Sequence, residues 1–540
     1  MLNFKHVLFA AMWFSLTACQ PATATPAPTA VQPALTPTAA GVAATPTAEE
    51  ATRPPGGAAT VGLVGRPASL NPITENHPAL RQITPLLFES LLQANPVTAE
   101  LRPALAESWE YSADGRLVTF HLPAKLAWSS GAPLTAAGVV ASLQATQHPA
   151  LLKFSQISAP NDRTITLEFL QIDCAAVTEL ALLPLLPADQ ISASRPMGSG
   201  PFVVKNWSAD GRTLTLARNA RYHGVAARLD SLTVRFIDAA QQAIVLSEGA
   251  GQFDVIGPVT GPLAQLPADF EPHTYPAPKM VSVAINYAPR NEARLPDGMR
   301  QALIESLDRP ALLAEALGGD GVLFAGPLLP GHWAADATLA LPDYNPAAAK
   351  ALLQKIGLRD SNNDGWLDSD GQRLNLAIRL NGKNPLHQQL GWLVSSYYRD
   401  LGLFARAESV PPDSVIDDLF SHDYRLAIFN WPILPDPDQR PYWHSRENKA
   451  GEGLNFTSYS NPQLDSLLEQ AAAVPGCRQP ERAKLYAQAQ QILSRERPVD
   501  FVLAPNEHVL SARRLHGLRP GPFAPLTWNA GEWYLAGENQ

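Results

Sequence analysis

Residues 360–370 read DSNNDGWLDSD. Asp360, Asn362, Asp364 and Asp368 stand at positions 1, 3, 5 and 9 of a calcium loop, with Gly365 at its sharp turn. Hard oxygen ligands at that spacing can hold a divalent cation. Position 12, where a bidentate acid closes the shell, is Gly371. Asp, Asn and Gly also make turns unaided, so a structural hairpin is the expected reading, with calcium as the alternative. A second stretch, YRLAIFNWPILPDPDQRPYWHS at 424–445, gathers Trp431, Tyr442 and Trp443, with Phe456 just downstream. Aromatic side chains in a cleft suit sugar faces, peptide side chains or flat chelates; the same residues also make an ordinary packed core.

Other chemistry is thin. The chain has no HExxH, no paired CxxC and no GxSxG, and GSGPF at 198–202 lacks a nucleophile elbow. Its 12 histidines are scattered without short metal-ligand spacing, so neither a cofactor nor a protein-bound metal is expected. A glycosidase-like acid pair would need a known separation, which sequence does not supply. The net charge is −9 and no Lys/Arg run stands out, which argues against nucleic acid as a partner.

The elements that must position these residues are mixed. A chain of 540 residues is too long for one core and implies several lobes. RLVTFHLPAKLAW (116–128) and RTITLEFLQI (163–172) alternate like half-buried strands. ADGR at 113–116 and 209–212 marks two turns, each feeding a strand. AAAKALLQKIG (347–357) reads as a helix ending at Gly357, and NPQLDSLLEQAAA (461–473) as one capped by Asn461 with Pro462 behind it. ERAKLYAQAQQILSRE (481–496) places Ala483, Leu485, Tyr486, Ala489, Ile492 and Leu493 near one face. The pattern is α/β or α+β.

The first residues differ from the rest. VLFAAMWFSL (7–16) is an apolar run of signal-peptide length, and Leu16-Thr17-Ala18-Cys19 looks like a bacterial lipobox, which implies cleavage before Cys19 and lipid on its thiol. Residues 21–59, dominated by Pro, Thr and Ala, have too few large apolar side chains to offset ordering entropy and read as an extended tether. The expected location is the outer face of the cytoplasmic membrane, or the periplasm. Cys174 and Cys477 remain as either a disulfide or two buried thiols.

Nine stretches in order then resemble the large extracytoplasmic solute-binding proteins of ABC importers, family 5. They include LRPALAESWEYSADGRLVTFHL (101–122), LAWSSGAPLTAAGVVASL (126–143), MGSGPFVVKNW (197–207), GMRQALIESLDRPALL (298–313) and DYNPAAAKALLQKIG (343–357). The resemblance covers about 62–540. It implies an α/β, two-lobed clamshell of the periplasmic-binding-protein type (type II, cluster C). The first lobe would be discontinuous (61–89, 195–284 and 505–540), with 90–194 inserted as a subdomain, and the second lobe would be 285–504; 1–18 would be signal peptide and 19–60 tether. Two family aspartates are replaced, by Ser130 and Gly138.

The resemblance further implies a monomer that captures a small solute (an oligopeptide, an oligosaccharide or a metal chelate) between its lobes, delivers it to an ABC permease and does no chemistry on it. A sensor built on the same clamshell and, less favoured, a hydrolase are the alternatives. Trp431 would stack on the solute, Asn71, Thr74, Asn286 and Tyr287 would orient it, and Trp443 would also line the site. In the peptide-binding members an Asp three residues after the Trp holds the peptide ammonium. Here that position is Leu434, and Asp436 could take the role only after a one-residue shift, or else simply cap a turn.

Overall fold

The computed structural model describes residues 56–536 apart from 249–250, 261–262, 264–265, 292–293 and 370. The signal peptide, Cys19 and most of the tether fall outside these. The first strand, β1 (Ala58–Val64), begins three residues inside the segment read as tether, because Ala58, Ala59 and Thr60 already pair with Ser231, Leu232 and Thr233.

β1 alternates as its sequence predicts: Ala59, Val61 and Leu63 are buried and pack with Leu80, Ile83 and Leu86 of helix α1 (Pro78–Leu87). The other strands of this lobe are β2 (Phe202–Trp207), β3 (Thr213–Arg218), β4 (Ser231–Ile237), β5 (Val255–Thr260) and β6 (Phe270–Pro276). β1 lies parallel to both neighbours, β4 and β5. The GSG of residues 198–200 passes the end of α1 so closely that a Cβ on Gly198 would stand 2.0 Å from the Leu87 carbonyl oxygen, which is why no side chain fits there.

Residues 90–194 form their own small body. Four antiparallel strands (Ser108–Tyr111, Leu117–His121, Thr164–Phe169 and Phe154–Asn161, in that spatial order) pack on α2 (Ala136–Ala145) and α3 (Cys174–Ala181). The lost aspartate at 138 is covered by its neighbour: Thr135 caps α2 by accepting a hydrogen bond from the Gly138 amide.

The second lobe carries β7 (Lys279–Ile285), β8 (Gly321–Leu323), β9 (Asn375–Asn381), β10 (Phe404–Val410) and β11 (Leu426–Pro432). Its main helices are α4 (Arg309–Leu317), α5 (Pro346–Lys355), α6 (Pro385–Asp400), α7 (Pro462–Ala472) and α8 (Gln479–Glu496). Asn345, Asn384 and Asn461 cap three of them ahead of a proline, the arrangement read for α7. α8 buries Tyr486, Ala489, Ile492 and Leu493 as expected, but also Arg482 and Gln490.

One long strand, β12 (Val499–Ala512), joins the lobes. Its first half pairs with β7 and its second half with β5 and β6. The result is one sheet in the order β10-β9-β11-β7-β12-β5-β1-β4-β3-β2, with β6 and β8 also on β12. β7 pairs with β11 from end to end, which puts residues 279–285 in the half of the sheet that carries β9, β10 and β11. Arg309, at the start of α4, grips Asp500 of β12 at 2.6 and 2.7 Å with both side chains enclosed.

The Asp-rich segment is a hairpin, its arms 368–369 and 372–373 paired. Asp360 accepts from the amides of Asp364 and Gly365, Asp368 accepts from Ser361 and Gly371, and Asp364 pairs with Arg373 at 2.6 Å. The carboxylates that would face a cation are engaged within the hairpin instead, by its own amides, Ser361 and Arg373.

Candidate functional site at the lobe junction

In open α/β sheets, ligands bind outside the carboxyl ends of parallel strands where the strand order reverses. β9 is such a point, since its chain goes out through α6 to β10 and returns to β11 on β9's other side, all three parallel. The carboxyl ends of β9 and β11 bring together Asn381, Asn430 and the start of α6. The amino end of β7 lies at the same edge, with Lys279 opposite Pro432.

The side chains gathered there are polar. His387, on the first turn of α6, is buried and its Nε2 lies 3.0 Å from Asn430 Oδ1. Burial drives its pKa down to about 4, so the ring is neutral; among the described residues its Nδ1 has no partner. Lys279 has its pKa lowered by burial, against the pull of Glu507 on β12, and among the described residues its ammonium has no hydrogen-bond partner. Tyr275 of β6 stands opposite Glu507 in register; burial, with a hydrogen bond to that carboxylate, keeps its phenol protonated. Arg81 of α1 also feels Glu507. Residues of both lobes therefore share one charged cluster at the crossing. It can bind and orient a polar solute. Sequence reading missed it; the available signal was a lone cation heading the apolar strand KMVSVAI.

None of the residues expected from sequence is among the side chains of this cluster. Asn71 is fully buried: its amide donates to the Ile191 and Ala193 carbonyls and its Oδ1 accepts from Ile73. Asn286 likewise donates to His422 and Tyr424 and accepts from Ala288. Both clamp loops and are enclosed, out of reach of a solute. Tyr287 lies beneath the Arg300 guanidinium at 3.3 Å, with its hydroxyl on the Glu496 carbonyl. Trp431 and Trp443 are buried in the second lobe's core, their rings 5.0 Å apart and their indole N–H groups donating to Ser282 and Gln439. Thr74 is exposed near the start of α1.

Asp436 is also corrected. Arg482 donates to both its oxygens at 2.8 and 3.0 Å and Thr178 donates at 2.9 Å, leaving the carboxylate side chain 9% exposed. It cannot take an ammonium group. Leu434, 52% exposed, occupies the position of the missing amine anchor.

Thr178 belongs to the inserted body, so this contact crosses a seam between 90–194 and the second lobe. Along it, Arg440 donates to Asp173 at 2.8 Å, Trp333 donates its amide to Thr98, and Cys174 and Cys477 form a disulfide. Ala94 and Ala99 enter the second lobe's core. The Gly115 turn rests on Pro475–Gly476, and with φ at +71° a Cβ there would stand 2.3 Å from the Gly476 nitrogen. Gly115→Ala is therefore expected to cost about 1–3 kcal/mol in urea unfolding. Gly211→Ala, in the sister ADGR turn, meets only the flexible Arg66 side chain at 3.2 Å and should cost less. Equal costs would show that the seam contact carries nothing.

Two lobes joined through shared strands, with polar side chains at the junction, define a solute-receptor clamshell of the periplasmic-binding-protein kind. Residues 100–452 match the model for bacterial extracellular solute-binding proteins, family 5 middle, and the chain belongs to that family. The oligopeptide-binding protein AppA of Bacillus subtilis is 25% identical over 508 residues, covering 89% of this chain and 92% of its own. Heme-binding protein A of Haemophilus influenzae is 24% identical over 458 residues, covering 76% and 80%. Among solved structures, AppA from Bacillus subtilis in complex with a nonapeptide superposes with a TM-score of 0.68 at 23% identity, over 90% of this chain and all of that one. NikZ from Campylobacter jejuni in complex with Ni(L-His) gives 0.71 at 20%, over 88% and 99%.

Proposed function

We propose that this chain is the solute-capturing component of an ABC uptake transporter. It is held by lipid on Cys19 and the Pro/Thr/Ala tether at the outer face of the cytoplasmic membrane, and it hands its cargo to a permease without altering it. The lobes hinge where the chain crosses at 277–278 and within β12, and the solute must favour the closed state over the open one. The observation that carries the reading is Lys279, a half-buried cation at the switch-point edge that feels Glu507 but has no hydrogen-bond partner among the described residues. It calls for an anionic group on the cargo, such as the carboxylate of a peptide or of an amino-acid chelate. Leu434 and the engaged Asp436 argue against anchoring through a free ammonium group.

Native mass spectrometry of gently purified protein should find a co-purified small molecule bearing such a group. Titration of that compound should lose about 1.5–3 kcal/mol of affinity in Lys279→Met, the worth of a hydrogen bond to a charged group. Unchanged affinity would remove Lys279 from the site, and recovery of a cleaved compound would remove the non-catalytic reading.

A further inference from the structure

The Cys174–Cys477 disulfide joins α3 of the inserted body to the turn between α7 and α8. The inserted body is fixed to the first lobe by its two chain connections and by backbone hydrogen bonds: Leu185 to Glu89, Ser129 to Gly198, and Phe523 to Pro96. The disulfide is therefore a third covalent link between lobes, lying outside the sheet that carries the other two. Two links leave a hinge axis. A third, away from them, removes the rotation. The neighbouring polar contacts at the seam, Arg440 with Asp173 and Thr178 with Asp436, can exchange for water when lobes part, and Ala94 and Ala99 can leave the second lobe's core at the cost of their small apolar area; a covalent bond cannot give way.

We infer that Cys174 and Cys477 form a redox latch on the clamshell, an inference that rests on the hinged reading above. Oxidised, the protein is held closed and exchanges solute slowly; reduced, it opens. Closing the latch takes two electrons and two protons from the two thiols by exchange with an external disulfide, of the dithiol–disulfide oxidoreductase class, which leaves as its dithiol. Opening begins when an external thiolate attacks the Cys477 sulfur, because Cys477 is half-buried whereas Cys174 is enclosed. The S–S bond breaks, Cys174 leaves as a thiolate and takes up a proton, and a second external thiolate attacks the external sulfur of the mixed disulfide, which releases the external disulfide and expels Cys477 as a thiolate that takes up the second proton.

The test is an inter-lobe distance measurement. Keto-amino-acid spin labels go at positions 225 and 392, exposed sites on the first and second lobes. The exported full chain is compared before and after phosphine reduction, and with Cys174→Ser/Cys477→Ser, mass spectrometry confirming the gain of two hydrogens on reduction. The oxidised protein should show one short distance, and the reduced protein and the variant a second, longer population raised about tenfold or more. Equal open fractions in both redox states would overturn the latch and leave the hinge standing. No open population in either state would overturn both. Free thiols in the exported protein would also overturn the latch. Reduction of the wild-type chain gives the answer even where the variant folds poorly.

Discussion

Asp436→Ala is expected to lower the unfolding free energy by about 3–5 kcal/mol, the cost of leaving a buried cation without its counter-charge. The Arg482 side chain is 5% exposed and, among the described residues, would keep the Ala471 carbonyl and the Tyr486 hydroxyl as hydrogen-bond acceptors and the Trp333 ring at 5.5 Å, none of them a counter-charge. Thr178 would lose its acceptor across the seam. Asp436→Leu combined with Arg482→Met should recover most of the loss, because removing both charges removes the desolvation cost along with the attraction. The pH dependence has a definite sign. Burial works to raise the Asp436 pKa, but Arg482, its hydrogen bonds and that of Thr178 outweigh it, and the folded value lies below the ordinary one. The stabilisation is then complete above the unfolded pKa of about 3.9 and disappears as pH falls through the folded value. Urea midpoints of wild type and variant should therefore differ fully at neutral pH and converge in strong acid. A single-variant cost below about 1 kcal/mol at neutral pH would mean that water already reaches the pair.

This pair also shows where sequence reading stops. Local devices were legible. Asn461 before Pro462 caps α7, Gly357 takes the left-handed conformation after α5, and the ADGR turns close through Asp114 and Asp210, because each depends on neighbours within a few residues. The family order carried the clamshell. Residue roles did not follow, since a side chain's type does not say whether its hydrogen bonds are already taken. Asn71 and Asn286 are small amides beside turns, and each closes a loop instead of facing solute. The seam is set by partners 258 and 303 residues apart in sequence, a distance over which no periodicity speaks. Lys279 went unread because it opens a strand otherwise made of core residues, where a cation looks like an end rather than a site.

Trp431→Ala carries the other large effect, and it separates two uses of one ring. As a stacking platform for solute, the residue would cost about 1–3 kcal/mol of affinity on truncation and little stability. As a core residue, it would cost about 3–5 kcal/mol of stability. The packing favours the second. The side chain is 3% exposed, and the rings of Phe429, Tyr442, Trp443 and Phe456 surround it at 4.7–5.8 Å. Its N–H donates to Ser282 Oγ at 3.0 Å across to β7, so the indole also fastens β11 to its neighbour. Trp431→Phe keeps most of the apolar area and drops that bond, and should cost about 1 kcal/mol. The ordering Ala well below Phe, and Phe slightly below wild type, is the signature to look for in chemical unfolding. Solute affinity, measured far below the melting range, should change less than stability does, because Ile433 still ties the downstream segment to the Pro278 carbonyl. A variant that keeps its unfolding midpoint but loses the cargo would instead place the indole face against the solute, and would mean that the lobe opens far enough to uncover its own core.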